Sequence, residues 1–193
     1  MTVSPTPGVA DDDRALTWPP APLLSGSVAL RPFRDLDLGL VAELAEDPYV
    51  PLIGTVPVPF TEAAGLAYLE RQHQRLADGT GYSFCVADAL TDSPLGTAGL
   101  WLRDRDQGRC SVGYSVSPRA RGRGVATAAL AGLTPFAWTH PDLHRIELYV
   151  EPANRASVAV AERCGYQREG LLRSLMVIGG QRRDMLLYAA LRP

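Results

Sequence analysis

The order of apolar segments predicts an α+β domain whose mixed, mostly antiparallel central sheet is flanked by helices. Three observations carry this. The runs Tyr82–Ala87, Gly96–Leu102 and Cys110–Val116 are strand-like and follow one another directly. Their connectors, Thr91-Asp92-Ser93-Pro94 and Asp104–Gly108, are turn-rich and short enough for antiparallel hairpins. Helix-like segments stand on both sides of this block in the chain.

The elements follow in order. Val28-Ala29-Leu30 before Arg31-Pro32 reads as a first strand. Asp35 or Asp37 is placed to cap a helix carrying Leu40, Val41 and Leu44. Residues Asp47 to Phe60 hold four prolines and one glycine and read as an irregular loop. Thr61 then caps a second helix with Leu66, Leu69 and Leu76 on one stripe, which His73 shares as a packing side chain. After the three strands come a helix over Gly122–Trp138, a strand at Arg145–Val150, a helix at Ser157–Cys164, and a hairpin of Gly165–Leu171 with Arg183–Leu191. Pro135 breaks the local rule, because inside a helix it deletes a hydrogen bond. The helix is expected either to kink there or to end early.

Bulk composition narrows the class. The chain has 193 residues, 46% of them hydrophobic, enough for one domain with a real core. Residues 1–26 hold Pro5, Pro7, Pro19, Pro20, Pro22 and the run Asp11-Asp12-Asp13, and read as a flexible tail. Trp18 and Leu23-Leu24 are candidates to pin its end to the domain, which occupies 27–193. A net charge of −2 disfavours nucleic acid or an anionic membrane as a global partner. Cys85, Cys110 and Cys164, odd in number and widely spaced, suggest neither a disulfide framework nor a metal or redox pair. No apolar run approaches the ~18 residues of a membrane span, and no secretory signal is apparent. These features point to the cytoplasm.

The chemistry concentrates in Val116-Ser117-Pro118-Arg119-Ala120-Arg121-Gly122-Arg123-Gly124-Val125-Ala126-Thr127. A β-branched strand ends, glycines and arginines follow, and a small-residue helix begins. Helix N-termini present unpaired N–H groups and partial positive charge, and glycines let a ligand approach the backbone. A diphosphate suits such a site. The Walker pattern is absent. A dinucleotide fingerprint fails at its third glycine, where Thr127 stands, although Glu151 falls at a plausible distance for a ribose-binding acid.

Arg121-Gly122-Arg123-Gly124-Val125-Ala126 resembles the Q/R-x-x-G-x-G/A acyl-CoA loop of the GNAT superfamily, with Val116-Ser117-Pro118 at the strand end before it. Asn154-Arg155-Ala156-Ser157, Glu162-Arg163-Cys164-Gly165-Tyr166 and Arg168-Glu169-Gly170 are similar to further signatures of that family. So are the opening Leu30-Arg31-Pro32 and the closing Gly179–Asp184 with Leu186-Leu187-Tyr188. The likeness runs from about Val28 to Leu191 and resembles the RimJ/RimL-type branch most.

The resemblance implies a GNAT fold and an acetyl-CoA:amine N-acetyltransferase that uses no metal. The acceptor would be a protein N-terminus or a small-molecule amine, attacking the thioester directly. The backbone of Arg121, Gly122, Arg123, Gly124, Val125, Ala126 and Thr127 would hold the CoA pyrophosphate. The strand edge at Ser115, Val116 and Ser117 would pair with the pantetheine arm, which Asn154 would also contact. Ser157 would sit near the sulfur as a general acid; a helix-cap contact suits it equally well. The tyrosine of other branches is replaced by Ala161, and the RimL-like carboxylate falls near Met176. The general base is therefore unassigned among Glu147, Glu151 and His144. Tyr114 and Trp101 are candidate cleft residues with an ordinary core reading. The acceptor wall is expected from the two early helices and the Asp47–Phe60 loop. A homodimer through an exposed sheet edge is allowed by analogy. The alternatives are an acyl-CoA-binding module without catalysis, a dinucleotide-binding oxidoreductase, and an RNA contact through Arg119, Arg121 and Arg123.

Overall fold

The computed structural model describes residues 16–193. Its eight strands are β1 (Leu23–Ser25), β2 (Val28–Arg31), β3 (Gly81–Asp88), β4 (Pro94–Trp101), β5 (Arg109–Val116), β6 (Arg145–Val150), β7 (Gln167–Ile178) and β8 (Gln181–Leu191). They form one sheet in the order β1-β2-β3-β4-β5-β6-β8-β7. Only β5 and β6 pair in parallel; every other neighbouring pair is antiparallel. The helices are α1 (Leu38–Ala45), α2 (Val50–Ile53), α3 (Glu62–Ala77), α4 (Val125–Ala137) and α5 (Arg155–Arg163).

Apolar side chains fill both faces of the sheet. On one face Leu30, Phe84, Leu100, Ile146 and Tyr188 pack with Leu130 and Leu133 of α4 and Ala161 of α5. On the other, Phe33, Cys85 and Val56 pack with Leu40, Val41 and Leu44 of α1 and Tyr68 and Leu69 of α3. Strand β3 is covered on both faces, so Gly81 to Ala87 are all buried rather than alternating.

Several expectations are corrected by packing. The boundary at 26/27 falls inside the β1–β2 hairpin, because Leu23, Leu24 and Ser25 pair with Leu30, Ala29 and Val28. Trp18 does pin the preceding segment, edge-on to Phe84 at 5.3 Å and to Tyr82 at 5.9 Å. Residues 1–15 of the tail expected over 1–26 lie outside the described residues. Asp37 is the N-cap of α1 but makes no side-chain cap bond to it; its carboxylate accepts from the Arg34 amide at 2.8 Å, at the turn before the helix. This buried carboxylate also accepts two hydrogen bonds from Arg31, at 2.7 and 2.9 Å, which hold the guanidinium firmly charged.

Thr61 does cap α3, its Oγ1 accepting from the Ala64 amide at 3.2 Å. The buried stripe of that helix is Gly65, Tyr68, Leu69 and Gln72, while Leu66 faces outward. Residues 47–60 are not wholly irregular. Asp47 Oδ1 accepts from the amides of Tyr49 and Val50, both at 2.9 Å, and starts the single turn α2. Helix α4 runs through Pro135 to Ala137, so the proline does not end it early. The last hairpin is longer than expected, because residues 172–182, largely exposed even where apolar as at Leu175, Met176 and Val177, continue both strands to a turn at Gly179-Gly180.

Candidate active site

The parallel pairing of β5 with β6 stops after three registers, Arg109↔Arg145, Cys110↔Ile146 and Ser111↔Glu147. Beyond them β5 stays paired with β4 as far as Val116, and β6 stays paired with β8 as far as Val150. The two central strands therefore splay apart toward their C-terminal ends. A cleft of about 520 Å³ opens there, lined by Ser111–Ser115 of β5, Leu148–Val150 of β6, Glu151 just after it, Asn154, Ser157, and residues of α2, α3 and β7. Ligands of parallel strand pairs gather at such C-terminal ends.

The glycine loop sits beside this opening. Gly122 and Gly124 both have left-handed backbones, with φ of +73° and +78°. A Cβ built on either would meet no atom within 4 Å, so the positive φ demands glycine and the space before the loop is open. Gly124 is the N-cap of α4, and the first intrahelical bond is donated by Ala128. The amides of Val125, Ala126 and Thr127 are thus left without intrahelical acceptors. Their partial positive charge suits a diphosphate.

The loop arginines are less available than their charge suggested. Arg121 donates to buried Asp47 at 2.6 Å and to the Val116 carbonyl at 3.2 Å. Arg119 pairs with Glu43 at 2.9 Å. Both guanidinia tie α1 and its following turn to the loop. Arg123 makes no ion pair among the described residues. Burial pushes the Asp47 carboxyl up, but the amides of Val50 and Tyr49 and then Arg121 outweigh it and hold it below the usual range. Ser117 is fully buried, and its hydroxyl donates to Glu43 rather than facing the cleft.

Across the cleft, Asn154 caps α5, its Oδ1 accepting from the Ser157 amide at 3.0 Å. Ser157 uses its amide in this cap, and its hydroxyl faces Tyr114. Tyr114 Oη is shut off from solvent and has no hydrogen-bond partner of good geometry. Burial raises its pKa, and the Ser157 hydroxyl offsets part of that push. An unsatisfied buried hydroxyl at a cleft wall is a place for a ligand group.

Two carboxylates and one histidine were base candidates by position. Glu147 lies at the foot of the splay, 5% exposed, and accepts from Arg145 at 2.7 Å and Tyr149 at 2.6 Å. Burial is more than offset by these donors, so its carboxyl stays below the usual range and does not line the cleft. His144 starts β6 at the opposite end, donating its amide to Gly108. Glu151 does line the cleft. It accepts a hydrogen bond from Tyr49 Oη and has Arg183 at 3.7 Å. Burial first, and this bond second, keep Tyr49 protonated far above its ordinary pKa. Met176 also lines the cleft, so the departure from the RimL-like carboxylate falls at the site itself.

Tyr49 was missed by sequence reasoning, since it stands in a segment read as loop. Trp101 lines the cleft rather than the core, its indole lying over the cross-strand pair Gly99↔Gly113. Cβ atoms there would come within 2.8 Å and 3.0 Å of the ring, so two glycines make its bed. Among the described residues, no cluster of three His, Cys, Asp or Glu could hold a metal. No helix among them is long and apolar enough to cross a membrane.

Residues 27–167 match the family model of the acetyltransferase (GNAT) domain. The chain is 28% identical over 171 residues to the uncharacterized N-acetyltransferase p20 of Bacillus licheniformis, covering 88% of this chain and 96% of that one. It is 31% identical over 84 residues to the ribosomal protein uS5-alanine N-acetyltransferase of Escherichia coli, 44% of this chain and 43% of the relative. The structure of Mycobacterium smegmatis RimJ in complex with CoA-disulfide superposes with a TM-score of 0.74 at 27% identity, covering 89% and 86% of the two chains. A strand pair that parts over a glycine-bent helix start defines an acyl-CoA-binding α+β enzyme. The chain belongs to the GNAT acetyltransferases, in their RimJ/RimL-like branch, and is an acetyl-CoA-dependent N-acetyltransferase. The dinucleotide reading falls with this, and Glu151, its ribose acid, is held by Tyr49 in the cleft.

Proposed function

We propose that this enzyme acetylates a primary amine that enters the cleft between α2, α3 and the splayed strands, with Glu151 as the proton acceptor. The observation that carries the reading is that Glu151 is the one carboxylate among the described residues lining the cleft. Acetyl-CoA supplies the activated acyl group as a thioester. The backbone from Arg121 to Thr127 holds its diphosphate, and the free edge at Ser115 and Val116 receives its arm. Asn154 serves through Nδ2, because Oδ1 is committed to the α5 cap. Ser117 contributes through its backbone alone, since its hydroxyl is bonded to Glu43.

An amine is mostly protonated at neutral pH and must lose that proton before its lone pair can attack. Glu151, oriented by Tyr49, accepts the amine proton directly or through one water. The new C–N bond forms as the C–S bond breaks, and the departing sulfur needs a proton. Ser157 and Tyr114 stand at the wall facing the α5 start to supply it.

Turnover measured by thiol release should fall about a hundredfold or more in Glu151→Gln, the usual effect of removing a positioned base. Acetyl-CoA affinity should be unchanged. A kcat within about twofold of the parent would remove Glu151 from the role. The acceptor is a protein N-terminus or a small amine, and the setting is read as cytoplasmic from three unpaired cysteines. A second copy pairing along an exposed sheet edge is a further part of this reading, while membranes and nucleic acids are not.

A further inference from the structure

The acceptor end of the cleft carries an unusual charge. Arg75 of α3 projects there with a half-buried guanidinium. Its Nη1 donates to Ser83 Oγ at 2.7 Å, and its Cζ lies 5.8 Å from the Trp101 ring centre. It forms no salt bridge among the described residues, whereas most partly buried arginines of this chain do, including Arg31, Arg105 and Arg145. Arg103 lines the same end of the cleft, also without an ion pair among the described residues. Burial, with Arg103 and Arg71 nearby, lowers the Arg75 pKa; the Tyr68 phenol acts against this, and no carboxylate does.

A cation partly withdrawn from water without a counter-ion is costly, and buried charges are as a rule paired, so an anionic partner is the group this site lacks. A guanidinium offers five donors in a planar fork matched to carboxylate and phosphate oxygens. Ser83 occupies one of them here. The Trp101 indole, bedded on Gly99 and Gly113, supports the guanidinium by cation–π contact. Gln72, buried behind it, spends its amide nitrogen on the Tyr68 carbonyl and does not compete. The site is therefore built and oriented before any ligand arrives.

We infer that the amine acceptor carries its own anionic group, a carboxylate or a phosphate, which Arg75 and Arg103 bind while the amino group is presented toward Glu151. The inference rests on the proposed acceptor cleft. It narrows the substrate class to amines of mixed charge, either small amino-acid-like molecules or a peptide with an acidic residue close to its N-terminus. Simple polyamines and neutral alkylamines are disfavoured by like charge and by the unpaired guanidinium left behind.

Paired acceptors test this by thiol release: each amino acid against the amine lacking its carboxylate, phosphoserine against serine amide, and peptides starting with Asp or Glu against the Asn or Gln versions. Anionic members should show kcat/KM at least about tenfold higher, as for one charge-assisted pair. The free amino acids and the peptides, compared with each other, distinguish the two sources. In Arg75→Gln the preference should vanish through a rise in acceptor KM, with acetyl-CoA affinity by calorimetry unchanged. Arg75→Lys should keep part of it. Neutral members turned over as well, a preference that survives Arg75→Gln, or no anionic member turned over although acetyl-CoA binds, would each overturn the inference. Loss of acetyl-CoA binding in the parent protein would instead bring down the proposed function, and this inference with it.

Discussion

At the scale of single residues, the site depends on polar atoms whose partners are either fixed or missing. Asn154 and Ser157 show how one motif serves two ends. The Asn154 side chain and the Ser157 amide close the first turn of α5, which leaves Asn154 Nδ2 and Ser157 Oγ for the cleft. Tyr114 Oη is buried and unsatisfied beside them. We expect Ser157→Ala and Tyr114→Phe each to slow turnover by about tenfold or more, the low end for loss of a proton donor, with little change in acetyl-CoA affinity. Single-turnover rates check this. If Tyr114→Phe leaves the rate unchanged and raises the melting temperature, the hydroxyl is only an unpaired core atom. Motif matching made Asn154 and Ser157 legible in the sequence. Tyr114 was legible only as an aromatic in a strand, because nothing local says which strand face meets a gap.

At the scale of elements, strands β3 to β6 and helices α4 and α5 were read to within about three residues from apolar runs and the glycine boundary. The parallel β5–β6 contact and its early end were not legible, since pairing partners lie about 35 residues apart in sequence and no short turn fixes them. Yet that splay makes the cleft. Strand β1 and helix α2 were hidden for a different reason. Prolines mark both segments as loops, while Leu23–Ser25 needs only the edge of β2 to pair, and α2 needs only the Asp47 carboxylate to start it. The glycine loop behaves as one unit with α4. Gly124→Asp should weaken acetyl-CoA binding at least about tenfold, because a carboxylate would stand where the helix amides await a diphosphate. The left-handed backbone at 124 costs an aspartate some strain, but Asp tolerates it better than most residues and the added side chain meets open space, so the secondary structure should persist.

At the scale of the whole molecule, carboxylates held by arginines and amides join separate elements. Asp47 links α2 to the glycine loop, Glu147 ties β6 to β5 through Arg109 at 3.7 Å at the foot of the splay, and Asp142 accepts from Arg105 at 2.6 Å. Burial raises each of the three, and their hydrogen bonds outweigh it, so all stand below the ordinary carboxylate range when folded. Between the folded and unfolded pKa values the unfolded chain binds more protons. Their stabilisation is therefore complete above the unfolded value of ~4 and is lost as pH falls through the lower folded values. The melting temperature should be nearly flat from pH 7 to about 5 and fall steeply below about 4. A melting temperature unchanged down to pH 3 would show that these links contribute little. The account as a whole rests on a cofactor seat made of a glycine-bent helix start beside a parted strand pair. The most direct measurement is calorimetric titration of the parent and Gly124→Asp proteins with acetyl-CoA, and with NAD as the control ligand. The account predicts that the parent binds acetyl-CoA at one site and ignores NAD, and that Gly124→Asp binds acetyl-CoA at least about tenfold more weakly. Preference for NAD, or a Gly124→Asp protein that binds acetyl-CoA as tightly as the parent, would contradict it.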